Sequence, residues 1–399
     1  MRTAVISLSL ALAACGGSHD CDSGWTANGF TSCDTGCGNS SLAMSPSGPA
    51  CTAKVDDGTT VQCANTFTTD GKQACCTQNK PDVQYAECKP DPWSVGTEIT
   101  SADVVSPRLE PGVTALGQRV VVLDGFDTNV QHGQHITDDV VAYDPETMTW
   151  SQLPATPVMW THANLAASGA TLYLLGGADG VDFEPNGAAW ALDTAQANPQ
   201  WRALSPQPVG LERDAAGIIV KQPGIILVGG ANLTTAVDTV LRYDIASDTW
   251  TQLPSLPAPR SHPAVMETSD GTLICAGGLS SLDTRDAVDT VFVLPVDATA
   301  WETKSPMPLA HGGCAYGNLF DSLVCAGGEA GQAALKEVYR YDWRTDTWSQ
   351  LPDMPETRAG TQGAVIGGRL FVPGGARTLN FQPEPSLFVL SYLDAISLQ

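Results

Sequence analysis

The sequence predicts an all-β chain whose main body is a six-bladed β-propeller, preceded by a small disulfide-rich N-terminal module. Three observations carry this. Six short apolar runs, each closed by a glycine pair or its near relative, recur from residue 93 onward, with second glycines 52, 53, 48, 50 and 47 residues apart. The 39 glycines and 27 prolines break the chain into brief apolar stretches, as strands and turns require and helices do not. Eight of the 12 cysteines crowd between residues 21 and 88.

The N-terminus reads as an address. Met1-Arg2-Thr3 is a short basic start, and Ala4 to Ala14 is an apolar stretch of eleven residues. That is too short to span a bilayer but suits a signal peptide. Leu12-Ala13-Ala14-Cys15, followed by Gly16-Gly17, resembles the lipobox of bacterial lipoproteins. The resemblance implies a signal peptide over 1–14, an acylated Cys15 and a tether over 15–20. It also implies a place in the bacterial cell envelope, outside the cytoplasm, with Gly16 favouring the outer membrane. Several acyl chains on one residue hold a protein to a membrane where one chain does not.

Residues 21–92 form the second segment. Cys21, Cys33, Cys37, Cys51, Cys63, Cys75, Cys76 and Cys88 in an exported stretch with few apolar residues read as a disulfide staple, its pairing open. There are no CxxC pairs, so structural zinc is not expected.

Residues 93–399 carry the repeat. Its six runs are Val120 to Gly125, Leu172 to Gly177, Ile225 to Gly230, Leu273 to Gly278, Leu323 to Gly328 and Leu370 to Gly375. Tyr143-Asp144, Tyr243-Asp244 and Tyr341-Asp342 each stand seven residues before a tryptophan (Trp150, Trp250, Trp348). Leu294 and Trp301 keep that interval, Leu192 and Trp201 less strictly. Leu-Pro or Met-Pro turns follow. This pattern resembles the kelch repeat, which implies four antiparallel strands per unit and six blades closed in a ring. One such unit cannot bury its own faces, so blades must stack. The sixth repeat ends before its tryptophan strand, and Trp93-Ser-Val-Gly-Thr-Glu-Ile99 is expected to supply it, because Trp93 precedes Gly125 by 32 residues where the other intervals are 27 to 29.

Sixteen residues before each glycine pair stand Arg108, Trp160, Arg213, Ser261, His311 and Arg358, with Arg260 one step earlier. By resemblance to the kelch repeat, this ring is structural in part and also offers contacts to acidic partners around the channel mouth. Arg108, Trp160, Arg213, Arg260, His311 and Arg358 are therefore the candidate ligand-binding set. Two loops invite a metal reading, the stretch with His132, His135, Asp138 and Asp139 and the acidic turn with Asp179, Asp182 and Glu184. Neither has ligand spacing of fixed geometry, so no metal and no cofactor are expected. Cys314 and Cys325 are placed opposite each other in a hairpin, either as a disulfide or as two thiols, with Cys275 unpaired opposite Ala264.

The net charge of −23 and the absence of any Lys/Arg block exclude nucleic acid as a partner of the folded body. The expected function is non-enzymatic: a monomeric, lipid-anchored propeller that binds a protein or a glycan. The alternative is a sugar mutarotase or epimerase resembling the kelch-type sialic-acid mutarotase, with Arg108, Arg213 and Arg358 orienting substrate and Glu110, Glu212 or Glu329 moving protons.

Overall fold

The structure is a computed structural model that describes residues 92–127, 135–379 and 382–391 in full, with the backbone of short strands between Trp25 and Gln84. It divides into two compact units, Met1–Ser94 with Asp394–Gln399, and Val95–Leu393. In the first, Trp25–Ala27 pairs with Phe30–Ser32, Asn65–Thr69 pairs with Lys72–Cys76, and Thr52–Val55 lies between Thr60–Gln62 and Val83–Gln84. The signal peptide, the tether, Cys15, Cys21, Cys33, Cys37, Cys51, Cys63 and Cys88 lie outside the described residues, as do the side chains of Cys75 and Cys76 and the loop stretch containing His132.

The second unit is the six-bladed propeller. Blade one joins Gly112–Leu116, Arg119–Leu123, Val140–Asp144 and Thr149–Leu153 in order, and blades three, four and five repeat that meander. Blade six joins Ala364–Ile366, Arg369–Pro373 and Leu387–Ser391 to the strand Trp93–Val95. The expected closing strand is thus in place, and Gly96 N and Ile99 N donate to Leu387 O and Pro385 O, both at 2.8 Å. Among the described residues the only helical element is the 3₁₀ turn Thr284–Asp286, and no helix is long and apolar enough to cross a membrane.

The repeat signals have direct physical roles. The seven-residue interval is a tight hairpin in which Tyr143, Tyr243 and Tyr341 stand opposite Trp150, Trp250 and Trp348. The Trp150, Trp201, Trp250, Trp301 and Trp348 indoles each donate to a carbonyl just beyond the previous blade's last strand: Thr97, Pro154, Ser205, Pro254 and Ser305 at 2.8–3.1 Å. The core is divided accordingly. Five of the blade-to-blade seams each form their own apolar cluster, such as Val120, Val122 and Tyr143 against Ile366, Phe371 and Val389 where blade six meets blade one. A Cβ on Gly230 (φ 108°) or Gly328 (φ 96°) would meet a backbone carbonyl of the first-strand entrance at 2.5 or 2.4 Å, so only glycine fits there.

Two register expectations shift. Leu319 pairs with Ser322, so Cys325 stands opposite Tyr316 and the Cys314–Cys325 disulfide runs diagonally, with Cα atoms 5.6 Å apart. The turn is centred on Phe320-Asp321, one residue later than the centre of Asn318-Leu-Phe-Asp321, and that makes the difference. Cys275, free and buried, stands opposite Val265 rather than Ala264. Blade two also departs from its neighbours. Its second and third strands, Thr171–Asp179 and Glu184–Asp193, run on past the glycine pair as a long hairpin with a bulge between Leu175 and Gly177.

Candidate functional site

In each blade the chain enters the first strand at one end of the ring, and the second-to-third connections open at the same end. At that end stand the six residues singled out by the repeat. Arg108, Trp160, Arg213, Arg260, His311 and Arg358 are all buried, with 0–3% of their surface exposed. Arg260 rather than Ser261 holds the position in blade four, where one extra residue precedes the glycine pair.

Most of their polar groups are used within the scaffold, while Arg108 Nε, Arg260 Nε, Arg358 Nε and His311 Nε2 have no hydrogen-bond partner among the described residues. Arg213 Nη1 donates to Gly229 O (3.1 Å) and Thr239 O (2.7 Å), at the start of its own third strand. Arg260 reaches Thr290 Oγ1 and Arg358 reaches Ser386 Oγ at the matching place in their blades. Arg260 and Arg358 also lie over the rings of Phe292 and Phe388, at 5.0 and 4.6 Å. Arg108 Nη2 stands 3.5 Å from Asp139 Oδ2. These side-chain bonds lie within one blade. What links blades is the backbone, because Trp160, Arg260, His311, Arg358 and Arg108 carbonyls accept from Gly125, Gly230, Gly278, Gly328 and Gly375 N–H of the blade before, at 2.6–2.8 Å.

Two residues further along, the chain turns to the channel. Glu110 (φ 55°), His162 (53°), Ala215 (47°), His262 (53°), Gly313 (58°) and Gly360 (67°) all adopt left-handed backbone. They are tied into a ring by backbone bonds at 2.8–3.1 Å: Glu110 N to Gly360 O, His162 N to Glu110 O, Ala215 N to His162 O, His262 N to Ala215 O, and Gly313 N to His262 O. Left-handed backbone costs an ordinary L-residue roughly 1–2 kcal/mol, which the ring of bonds offsets.

The side chains of Glu110, His162 and His262 converge. His162 Nε2 is 3.5 Å from Glu110 Oε2, and the two imidazoles meet edge-on with centroids 5.1 Å apart. Each imidazole is oriented by a hydroxyl on its other nitrogen, His162 Nδ1 with Thr161 Oγ1 (3.0 Å) and His262 Nδ1 with Ser261 Oγ (3.3 Å). Burial lowers both imidazoles to about 4, so they are neutral at pH 7. Burial and the nearby Glu110 push Asp214 and Glu329 up to about 8, and burial raises Glu110 itself.

The room here is small. Glu110, His162, His262 and Glu329, with Tyr316 and Gln362, line a cavity of about 30 Å³, enough for a water or an ion. Beneath it, the Tyr316 hydroxyl accepts from Ile218 N (2.9 Å), reaching from blade five to blade three. Gln362 accepts from Val113 N and donates to Ala163 O. The alternative sugar site is not assembled: Arg108, Arg213 and Arg358 lie within the blades, Glu110 and Glu329 stand in the channel, and Glu212 lines a separate groove.

That groove, of about 450 Å³, lies between blades two and three and is lined by Pro185, Asn186, Gly187, Glu212, Asn232 and Leu233. On the same end, Met159, Val181, Val209, Leu233 and Leu282 of blades two to four expose between 49% and 96% of their surface. In the two loops considered for metal, the described residues include two local contacts. His135 Nδ1 is 3.0 Å from Asp127 Oδ1, and Asp179 Oδ2 accepts from Asn186 Nδ2 at 2.6 Å.

The KLHDC2/KLHL20/DRC7 Kelch-repeats domain model matches residues 110–311 and 163–375. The chain is 32% identical over 301 residues, 72% of its length, to Kelch-like protein terF of Aspergillus terreus, and covers 65% of that protein. It is 25% identical over 65% of its length to mouse Kelch-like protein 35, of which it covers 42%. An F-box/kelch-repeat protein of Arabidopsis thaliana, At1g80440, is 34% identical over 33% of the chain and is covered over 39% of its own length. The chain thus spans less than two thirds of these relatives.

Proposed function

Because the chain belongs to the kelch-repeat family, we propose that it is a protein-binding propeller, held outside the cytoplasm by a lipid anchor, that takes its partner on the loop face of blades two to four. Kelch propellers are typically protein-binding modules, which supports the class of ligand. The observation that carries the location is the exposed apolar set Met159, Val181, Val209, Leu233 and Leu282 beside the groove at Leu233 and Glu212. Met148, Val220, Val296 and Phe320 are also exposed, on the hairpins at the opposite end, so it is the adjoining groove that favours the loop face. The buried arginine ring and the plugged channel leave no comparable surface at the axis. The lipobox-like Leu12-Ala13-Ala14-Cys15 supports anchoring in a bacterial envelope, with Gly16 favouring the outer membrane, and the chain acts there as a monomer.

The test is partner capture from envelope extract with the anchored protein and with Val209→Asp, Leu233→Asp, Leu282→Asp combined. The variant is expected to fold and to lose the bands the parent retains. An unchanged set of bands rejects the assignment, and binding to a glycan panel alone would make the ligand a sugar. Labelling with a radioactive fatty acid, abolished by Cys15→Ala, checks the anchor.

A further inference from the structure

We propose that Glu110, His162 and His262 form a binding site for one divalent transition-metal ion, of the zinc type, on the propeller axis. Each ligand comes from a different blade, at the same place in the repeat, and the three ligating atoms lie within 4.8 Å of one another. Ligands about 2.0–2.1 Å from a tetrahedral ion sit roughly 3.4 Å apart. His162 Nε2 and Glu110 Oε2 already stand at 3.5 Å, so a small rotation of His262 completes the set.

Four further features fit an ion. The backbone ring that carries the ligands is rigid, bonded from Gly360 through Glu110, His162, Ala215 and His262 to Gly313. Thr161 and Ser261 hydroxyls occupy the Nδ1 positions and leave both Nε2 atoms for the ion, the outer support that histidine ligands require. Phe183, from the long hairpin of blade two, stands edge-on to the His162 ring at 5.2 Å and covers that side. The cavity of about 30 Å³ leaves room for a water as fourth ligand.

The choice of residues is itself informative. The left-handed backbone at these six positions is cheapest for glycine, and blades five and six use it. Blade three places Ala215 there and blades one, two and four place Glu110, His162 and His262, so three of the four non-glycine residues at this position carry a ligating group. Imidazole with carboxylate and an open position suits zinc, or other late first-row ions in its place.

Full-length protein, kept oxidised and freed of metal with a chelator, is titrated with Co²⁺ and Zn²⁺ alongside His262→Gly and the His162→Gly, His262→Gly pair. Those variants install the residue that blades five and six carry, so they are expected to fold, which melting of the metal-free proteins verifies. The parent is expected to bind one equivalent more than either variant, to give the intense visible absorption of four- or five-coordinate Co²⁺, and to melt higher with Zn²⁺ where the variants do not. Glu110→Gln is expected to weaken binding at least tenfold. Folded variants with the parent's stoichiometry and spectrum, or a parent that takes up no ion, would overturn the site.

Discussion

Arg213 shows how a repeated arginine acts as scaffold. Its guanidinium is the donor for Gly229 O and Thr239 O in a place water does not reach. Arg213→Met, similar in bulk, leaves Gly229 O unpaired and Thr239 O with only the Gly229 N–H as donor, and is expected to cost roughly 1–3 kcal/mol in urea unfolding. A variant as stable as the parent would free this position for ligand. The channel carboxyls and imidazoles predict a pH profile for the metal-free protein. Asp214 and Glu329 have ordinary values of 3.8 and 4.5 and folded values of about 8, so their stabilisation is complete below about pH 4 and is lost as pH rises through 8. His162 and His262 work oppositely, falling from 6.5 to about 4, so theirs is present above 6.5 and is lost as pH drops towards 4. The two trends oppose each other between about 4.5 and 6.5, and only the carboxyls act above that. Stability is expected to decline between pH 6.5 and 8, and Asp214→Asn with Glu329→Gln is expected to flatten the decline; a profile unchanged by the pair contradicts this. The arginine ring was legible in the sequence as a position, because spacing from the glycine pair reports register. The direction of its side chains was not, since that depends on the third strand of the same blade. His162 and His262 were missed for a related reason. Blade four's extra residue breaks the count, and Glu, His, Ala, His, Gly and Gly share no side-chain chemistry, only a backbone conformation.

At the scale of the strand, most of the architecture was open to reading. The Tyr-to-Trp interval equals a tight hairpin, and the glycine pairs mark where strands end against a carbonyl. The closing strand was legible because its absence at one end of the chain matched an unplaced tryptophan at the other. Deleting residues 93–99 removes the fully buried Ile99 and the bonds from Gly96 and Ile99, and exposes the edge of Leu387–Ser391. The expected loss is on the order of 5 kcal/mol, seen as melting about 10 °C or more lower. Unchanged melting contradicts the closure. Turn position was the weaker signal. The hairpin bends at Phe320-Asp321 rather than at the centre of Asn318-Leu-Phe-Asp321, and that one-residue shift moved Cys325 from opposite Cys314 to opposite Tyr316. The long hairpin of blade two was also hidden, since Ala178 to Glu184 reads as an acidic loop and nothing in its composition pairs it. Yet that hairpin brings Val181 to the loop face and Phe183 to the channel.

The propeller is a ring in which five of the seams show their own small core among the described residues, and the axis is filled by side chains. Tyr316 and Gln362 reach across the channel, so blades that are not neighbours, three with five and six with two, are bound through it. A chain with a net charge of −23, whose arginine ring is buried, presents an acidic surface to any partner. The partner is therefore expected to be basic around an apolar centre, and its binding to weaken as salt is raised. A photo-crosslinking residue placed at Leu233 on the anchored protein in its own envelope, compared with one at Val296 on the opposite end of the ring, tests the central claim most directly. Adducts with a partner from position 233 and none from 296 are what a loop-face binding module predicts; adducts from 296 alone would contradict it.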